Sequence, residues 1–357
     1  MRKIFTTMVL LTMVVLLSFA GGQQPEEEIG IVEPQAREDV IILKLAHADP
    51  VNVYTSRKHA QAVAFANLVN ARSGGRIEVQ IFGAGALGGE REYIEAVKQG
   101  TIQCGLASGA LASFFPSAMV TDIPYLFPTA PIAWDVLDGP FGDKLSEMLL
   151  EETGIRNLGF AEVGFRNFTN DVRPIHTPAD MRGLKFRVQE TPLYVKMVEG
   201  MGAIPTPIAW TETYTALQTG VVDGQENPVA VILMANFSEV QKYLVLDGHV
   251  YGVDWFLIND AFFSSLPADL QYILLDSAKI ANGVGRGVQQ LIGATGIAKL
   301  IEQGMEVYVP SEAEKKLFQD AAQQPVIDWL KTQIDPALIR EILREVEKEV
   351  ALLKSEL

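Results

Sequence analysis

From Ile41 to Ala107 the chain changes its apolar period again and again, and this alternation constrains the fold more than any single motif. Ile41–Ala46 is an apolar-rich run of strand length. Thr55–Arg72 carries Ala60, Val63, Ala64, Ala66, Leu68 and Val69 on one side of a helix, and Ser73-Gly74-Gly75 stops it. Ile77–Phe82 alternates with period two, Glu90–Gln99 reads as a helix with Gly100 past its end, and Ile102–Ala107 reads as the next strand. Strands separated by helices pair in parallel, because the helix supplies the crossover. The order predicts a mainly parallel sheet covered by helices, an α/β fold.

A second α/β series begins near Arg156, with strands at Ile155–Ala161 and Leu184–Val188. Helix starts pair a capping residue with proline at Thr177-Pro178, Thr191-Pro192 and Asp335-Pro336, and Ser311 with Glu314 forms a capping box. Pro267 to about Gln303 stays helical despite Gly283, Gly285, Gly287, Gly293 and Gly296. At ~1.5 Å per residue such a helix is long enough to cross two domains. A chain of 357 residues has room for two α/β domains and a helical C-terminus.

Ahead of this body, Arg2 and Lys3 precede an apolar run to Phe19, with Ser18 and Ala20 at the minus-three and minus-one positions. That pattern is a secretory signal peptide cut near Ala20, which places the mature protein in the periplasm. Residues 21–40 hold six acids and one base and predict an acidic disordered leader. The chain has 44 acidic and 29 basic residues, a net charge of −15, so no overall field attracts nucleic acid or anionic lipid. Cys104, the one cysteine, excludes an intrachain disulfide and reads as a small buried hydrophobe.

Most motifs that suggest chemistry fail on context. Gly83-Ala84-Gly85-Ala86-Leu87-Gly88 has the dinucleotide-loop spacing between a strand and a helix, but the next strand ends in Ala107-Ser108 without the required acid. A tight turn accounts for it. Ser108 is one residue off the serine-hydrolase elbow. His47, His59, His176 and His249 are scattered and offer no zinc spacing, so neither metal nor cofactor is expected. Nothing singles out a pair of carboxylates for glycosidase work.

The stretch from Gly164 to Pro228 is different. It contains Gly164-Phe165-Arg166-Asn167-Phe168-Thr169-Asn170, then Gly183-Leu184-Lys185-Phe186-Arg187-Val188-Gln189, and ends in Asp223-Gly224-Gln225-Glu226-Asn227-Pro228. Alternation puts Leu184, Phe186 and Val188 on one face of a strand and Lys185 and Arg187 on the other. A strand-borne arginine shielded from water needs a carboxylate partner. Taken alone, Arg187 reads as a surface or intraprotein salt bridge. These segments, together with Leu43-Lys44-Leu45-Ala46-His47, Gly85-Ala86-Leu87-Gly88-Gly89-Glu90-Arg91-Glu92 and Asp122-Ile123-Pro124-Tyr125-Leu126-Phe127, closely resemble the solute-binding proteins of tripartite ATP-independent periplasmic (TRAP) transporters. The match runs along nearly the whole chain after the leader. One departure is Ala86, where the family often has Gln.

The resemblance implies a two-domain periplasmic-binding-protein (flytrap) fold with a long helix crossing both domains. The expected domains are 41–163 plus 253–291 and 164–252 plus 292–357. It implies a monomer, not an enzyme, that captures an organic acid between its domains and delivers it to membrane-embedded permease subunits. Arg187 matches the arginine that pairs with the ligand carboxylate, Arg166 a second arginine near the ligand, and Asn227 a polar residue at the cleft.

Further wall candidates come from position. His47 ends the first strand and is open between a hydroxyl donor and a structural histidine. Ser108 ends another strand at the same edge, where α/β crevices collect ligands. Glu90 is open between a hydroxyl acceptor and a helix N-terminal carboxylate. Phe168, Trp210 and Trp255 are candidate apolar walls, and Gln189 and Glu190 are expected behind them. The run from Val188 to Leu193 resembles relatives that take sugar acids such as uronates or aldarates; C4-dicarboxylates and 2-oxo acids stay open. A receptor for a sensor kinase and a secreted enzyme acting on an organic acid are the alternative functions.

Overall fold

The computed structural model describes residues 40–356, so the expected signal peptide and all but the last residue of the expected leader lie outside the described residues. The strands are β1 (Ile41–Ala46), β2 (Ile77–Phe82), β3 (Cys104–Ala107), β4 (Ile155–Asn170), β5 (Lys185–Val188), β6 (Ile204–Pro207), β7 (Gly224–Asn227), β8 (Tyr243–Asn259) and β9 (Glu306–Tyr308). The helices are α1 (Arg57–Arg72), α2 (Glu90–Lys98), α3 (Ala130–Leu137), α4 (Pro140–Thr153), α5 (Pro192–Gly200), α6 (Thr213–Gln218), α7 (Val229–Met234), α8 (Asp260–Ser265), α9 (Ala268–Glu302), α10 (Glu312–Leu330) and α11 (Pro336–Glu356).

All strands join one sheet in the order β2-β1-β3-β8-β4-β7-β5-β6, with β9 added to β8. There are two parallel blocks: β2-β1-β3 matches the alternation read from sequence, while in β7-β5-β6 only β5 was expected as a strand. The expected mainly parallel sheet needs correction at its centre. There β4 and β8 run antiparallel to each other, β8 antiparallel to β3 and β4 antiparallel to β7, while the short β9 pairs with β8 in parallel. The strand expected to end at Ala161 continues to Asn170, and β8 is 17 residues long. Both are apolar on two faces, so neither shows a clean alternation of period two.

Packing explains the layers. In β8, Val253, Trp255 and Leu257 enter one core, while Phe256 and Ile258 enter the core on the other side of the sheet. The second core is covered by α1 and α9 through Phe65, Val69, Leu274 and Ala278. Cys104 sits in it, fully buried. Helix α9, with 35 residues, packs on α1 in one half and on α7 in the other. The glycine bulges of β4 receive its polar side chains. A Cβ on Gly159 would lie 2.4 Å from Asn282 Nδ2, and one on Gly164 would lie 2.8 Å from Gln289 Nε2. Asn282 donates to Leu158 O at 3.2 Å, and Gln290 donates to Glu162 Oε1 at 2.6 Å.

Helix starts follow the capping signals. Ser56 accepts from His59 N at the head of α1, and Ser311 with Glu314 caps α10. The Thr177-Pro178 start yields only a four-residue 3-10 turn, Pro178–Met181. The Gly83–Gly88 segment is a turn, with Ala84, Gly85 and Gly88 at positive φ. No helix among the described residues is long and apolar enough to cross a membrane.

Candidate functional site

The C-terminal ends of the two parallel blocks face each other, which is where an α/β sheet leaves its crevice. Between them lies a cleft lined on one side by Asp49, Arg57, Lys58, Glu90, Ser108 and Ala110, and on the other by Arg166, Arg187, Gln189, Trp210, Asn227 and their neighbours. The halves touch above it. Gly109 N donates to Gln189 Oε1 at 3.2 Å, and Ser113 Oγ donates to Glu190 O at 3.3 Å.

On the first side every cation has a carboxylate. Arg57 and Lys58 occupy the first turn of α1, the end of a helix whose dipole disfavours positive charge. Acidic partners compensate. Arg57 donates to Asp254 Oδ2 at 2.8 Å and to Asp49 Oδ2 at 3.0 Å. Lys58 pairs with Glu90 and lies 3.3 Å from Asp254 Oδ1. Burial works against both charges, but the surrounding carboxylates outweigh it and hold both pKa values above the ordinary range. Ser108 extends the array: its hydroxyl is 2.9 Å from Glu90 Oε1, and its N–H donates to Oε2 at 3.2 Å.

The second side splits its two arginines. Arg166, on β4, is a bidentate partner of Glu226: Nε donates to Oε2 at 2.5 Å and Nη2 to Oε1 at 2.9 Å. Nη2 also reaches Glu226 O at 2.6 Å. Behind Glu226, His249 sets Nε2 3.1 Å from Glu226 Oε2 and Nδ1 2.9 Å from Asp247 Oδ2. Burial opposes a charged His249, but the two carboxylates prevail and raise its pKa. Arg187, on β5, is as deeply buried as Arg166's neighbours, at 3% exposure, yet it makes no ion pair among the described residues. Its Nε donates to Ile208 O at 2.9 Å, and its guanidinium lies 5.9 Å from the Trp210 ring centroid. Burial pulls its pKa down to about 10, which leaves it charged at neutral pH. A buried, unpaired guanidinium is costly until an anion meets it.

Six of the nine residues singled out from sequence line the cleft: Glu90, Ser108, Arg166, Arg187, Trp210 and Asn227. Three do not. His47 turns from the cleft and sets Nε2 3.0 Å from His59 Nδ1; burial lowers its pKa to about 4. Phe168 stacks on His249 with centroids 4.2 Å apart, beneath the Arg166 pair. Trp255 lies in the core, edge-on to Phe160 at 4.7 Å and Phe115 at 6.4 Å. Alternation along β8 sends it there. Gln189 and Glu190, expected behind the wall, are part of it. Asp49, Arg57 and Lys58 escaped the sequence reading; two adjacent bases just after a Ser N-cap were the signal that could have found them.

The family model for bacterial extracellular solute-binding protein family 7 matches residues 51–332. A solute-binding protein from Verminephrobacter eiseniae is 40% identical over 296 residues, covering 82% of this chain and 87% of that protein. A TRAP periplasmic solute binding protein from Bordetella bronchispeptica, with density assigned to pantoate, has a TM-score of 0.80 at 38% identity, covering 85% of this chain and 98% of that one. The sugar acid binding protein from Advenella mimigardefordensis, in complex with galactonate, has a TM-score of 0.82 at 31% identity, covering 87% and 99%. The chain belongs to bacterial extracellular solute-binding protein family 7, the solute receptors whose role is delivery to TRAP transporters.

Proposed function

We propose that this protein captures one hydroxylated monocarboxylate, a sugar acid or a close analogue, and releases it to a TRAP permease. The observation that carries the ligand class is Arg187: one buried guanidinium with no carboxylate partner among the described residues, beside cations that all have one. One free cation serves one carboxylate. Elsewhere the wall offers Ser108, Gln189, Asn227 and the Lys58–Glu90 pair, which suit hydroxyls. The pantoate and galactonate named for the two relatives are both hydroxylated monocarboxylates. A C4-dicarboxylate would need a second free cation, and Arg166 is committed to Glu226.

In this reading the lobes are 41–163 plus 253–291 and 164–252 plus 292–357. Support comes from Gly164 pairing with Gly252 beside a register shift in β4. The protein acts in the periplasm as a monomer, after cleavage near Ala20, as the basic-apolar-small pattern of residues 1–20 suggests. It performs no chemistry on the acid.

Thermal-shift and calorimetric titration with galactonate, pantoate and succinate test the ligand class. The two hydroxy acids should stabilise the protein, by about 2.7 kcal/mol at 100 times the dissociation constant, and succinate should do so far less. Tight succinate binding with no response to either hydroxy acid would sink it. Mass spectrometry should return the acid unchanged after incubation, which separates a receptor from an enzyme.

A further inference from the structure

Gln189 is the side chain that both halves of the cleft share. It follows Arg187 by two positions, so the period of the strand sends both toward the cavity. Its oxygen faces the backbone N–H of Gly109, which can only donate; the carboxamide is thereby oriented with Oε1 toward the opposite lobe. Ser108 Oγ, the hydroxyl held by Glu90, is 3.3 Å from the same oxygen. The Nε2 group makes no protein hydrogen bond among the described residues, on a residue that lines the cleft. Gly109 is part of the fit. A Cβ there would stand 2.8 Å from Oε1 and 3.0 Å from the carboxamide carbon of Gln189.

We propose that Gln189 couples recognition to closure, its carbonyl latching onto Gly109 of the opposite lobe while its amide nitrogen donates to an oxygen of the bound acid. This rests on the reading of the cleft as an acid-binding site. The two roles are mutually reinforcing. A ligand oxygen that fixes Nε2 also fixes Oε1 for Gly109, and a closed latch holds Nε2 over the ligand. The latch acts after encounter, so it governs how fast the acid leaves more than how fast it arrives.

The test titrates galactonate and pantoate into the wild-type protein, Gln189→Ala, Gln189→Glu, Gly109→Ala, the Gln189→Ala/Gly109→Ala pair and Arg187→Ala, with association and dissociation rates from stopped flow. Gln189→Ala and Gly109→Ala should each weaken binding at least tenfold, mostly through faster dissociation. The double variant should match Gln189→Ala within about threefold, since the two residues share one interaction. Gln189→Glu keeps an acceptor for Gly109 but sets a carboxylate against the acid, and should weaken binding more than a hundredfold. Wild-type dissociation rates in Gln189→Ala, or single effects that simply multiply in the double variant, would overturn the latch. Wild-type affinity in Gln189→Glu would overturn the donor role. If Arg187→Ala binds like the wild type, or neither acid binds the wild-type protein, the site reading itself falls and this proposal with it. If Arg187→Ala fails to bind while Gln189→Ala is unaffected, only the latch is lost. Equal melting temperatures of the ligand-free variants separate these outcomes from misfolding.

Discussion

The two walls of the cleft solve the same electrostatic problem differently. On the wall built from α1, α2 and β3, Arg57 and Lys58 pair with Asp49, Glu90 and Asp254, so each cation has a carboxylate before any ligand arrives. On the wall built from β4, β5 and β7, Arg166 is balanced by Glu226 and Arg187 is left alone. In the proposed function, the first wall receives the hydroxyls and the second holds one charge in reserve for the carboxylate. On that reading, fold stability and ligand affinity draw on different arginines two strands apart.

The strongest way to break this contrast is to exchange the fates of the two arginines. Arg166→Ala leaves Glu226 buried without its main cation and should lower unfolding free energy by about 3–5 kcal/mol, read by denaturant melts without ligand. Arg187→Ala removes an uncompensated charge, so the ligand-free protein should melt no lower than the wild type. Its loss appears in calorimetry instead, at about 2–5 kcal/mol of binding to galactonate or pantoate. Equal effects of both substitutions on ligand-free stability would contradict the division of labour.

A finer probe is Arg187→Lys, which keeps the charge without the planar fork. It should bind at least tenfold more weakly than the wild type, while matching its melting temperature. On the opposite wall, Ser108→Ala removes one neutral hydroxyl from the Glu90 array and should cost about 1 kcal/mol of affinity, with little change in stability. An effect there as large as that of Arg187→Ala would mean the balanced wall also carries the carboxylate.

A separate probe of the Arg166 side is a slope of stability with pH. Burial lifts the carboxyl of Asp122 to about 7, against the pull of Arg166. The unfolded chain releases that proton near the ordinary aspartate value of about 3.9. Between about pH 4 and pH 7 the folded state thus holds more protons, and this group makes stability fall as pH rises. Asp122→Asn should remove that component, gaining on the wild type in melting temperature from pH 5 to pH 7.5. A constant gap across the range would show that Asp122 titrates normally.

Much of this site is legible in sequence because several of its residues sit at strand ends. Ser108 follows from where β3 stops, and alternation puts Arg187 on one face of β5, while its role and Asn227 came from the family resemblance. Trp255 was misplaced because a long two-faced strand gives no period to say which side faces the cleft. Arg57 and Lys58 were missed because the bases after the Ser N-cap do not reveal their partner Asp254, which is 197 positions from Arg57.

The alternation from Ile41 to Ala107 did determine the first parallel block, since apolar period and capping act within a few residues of themselves. The sequence also determined which strand carries the arginine and where the helices begin. What only the tertiary structure decided is which charges cancel. Arg166 and Arg187 look alike along the chain, and each sits in a strand among apolar neighbours. Burial and distance to Glu226 separate them, and ion pairing depends on through-space separation in a dry interior, a quantity that local pattern does not encode.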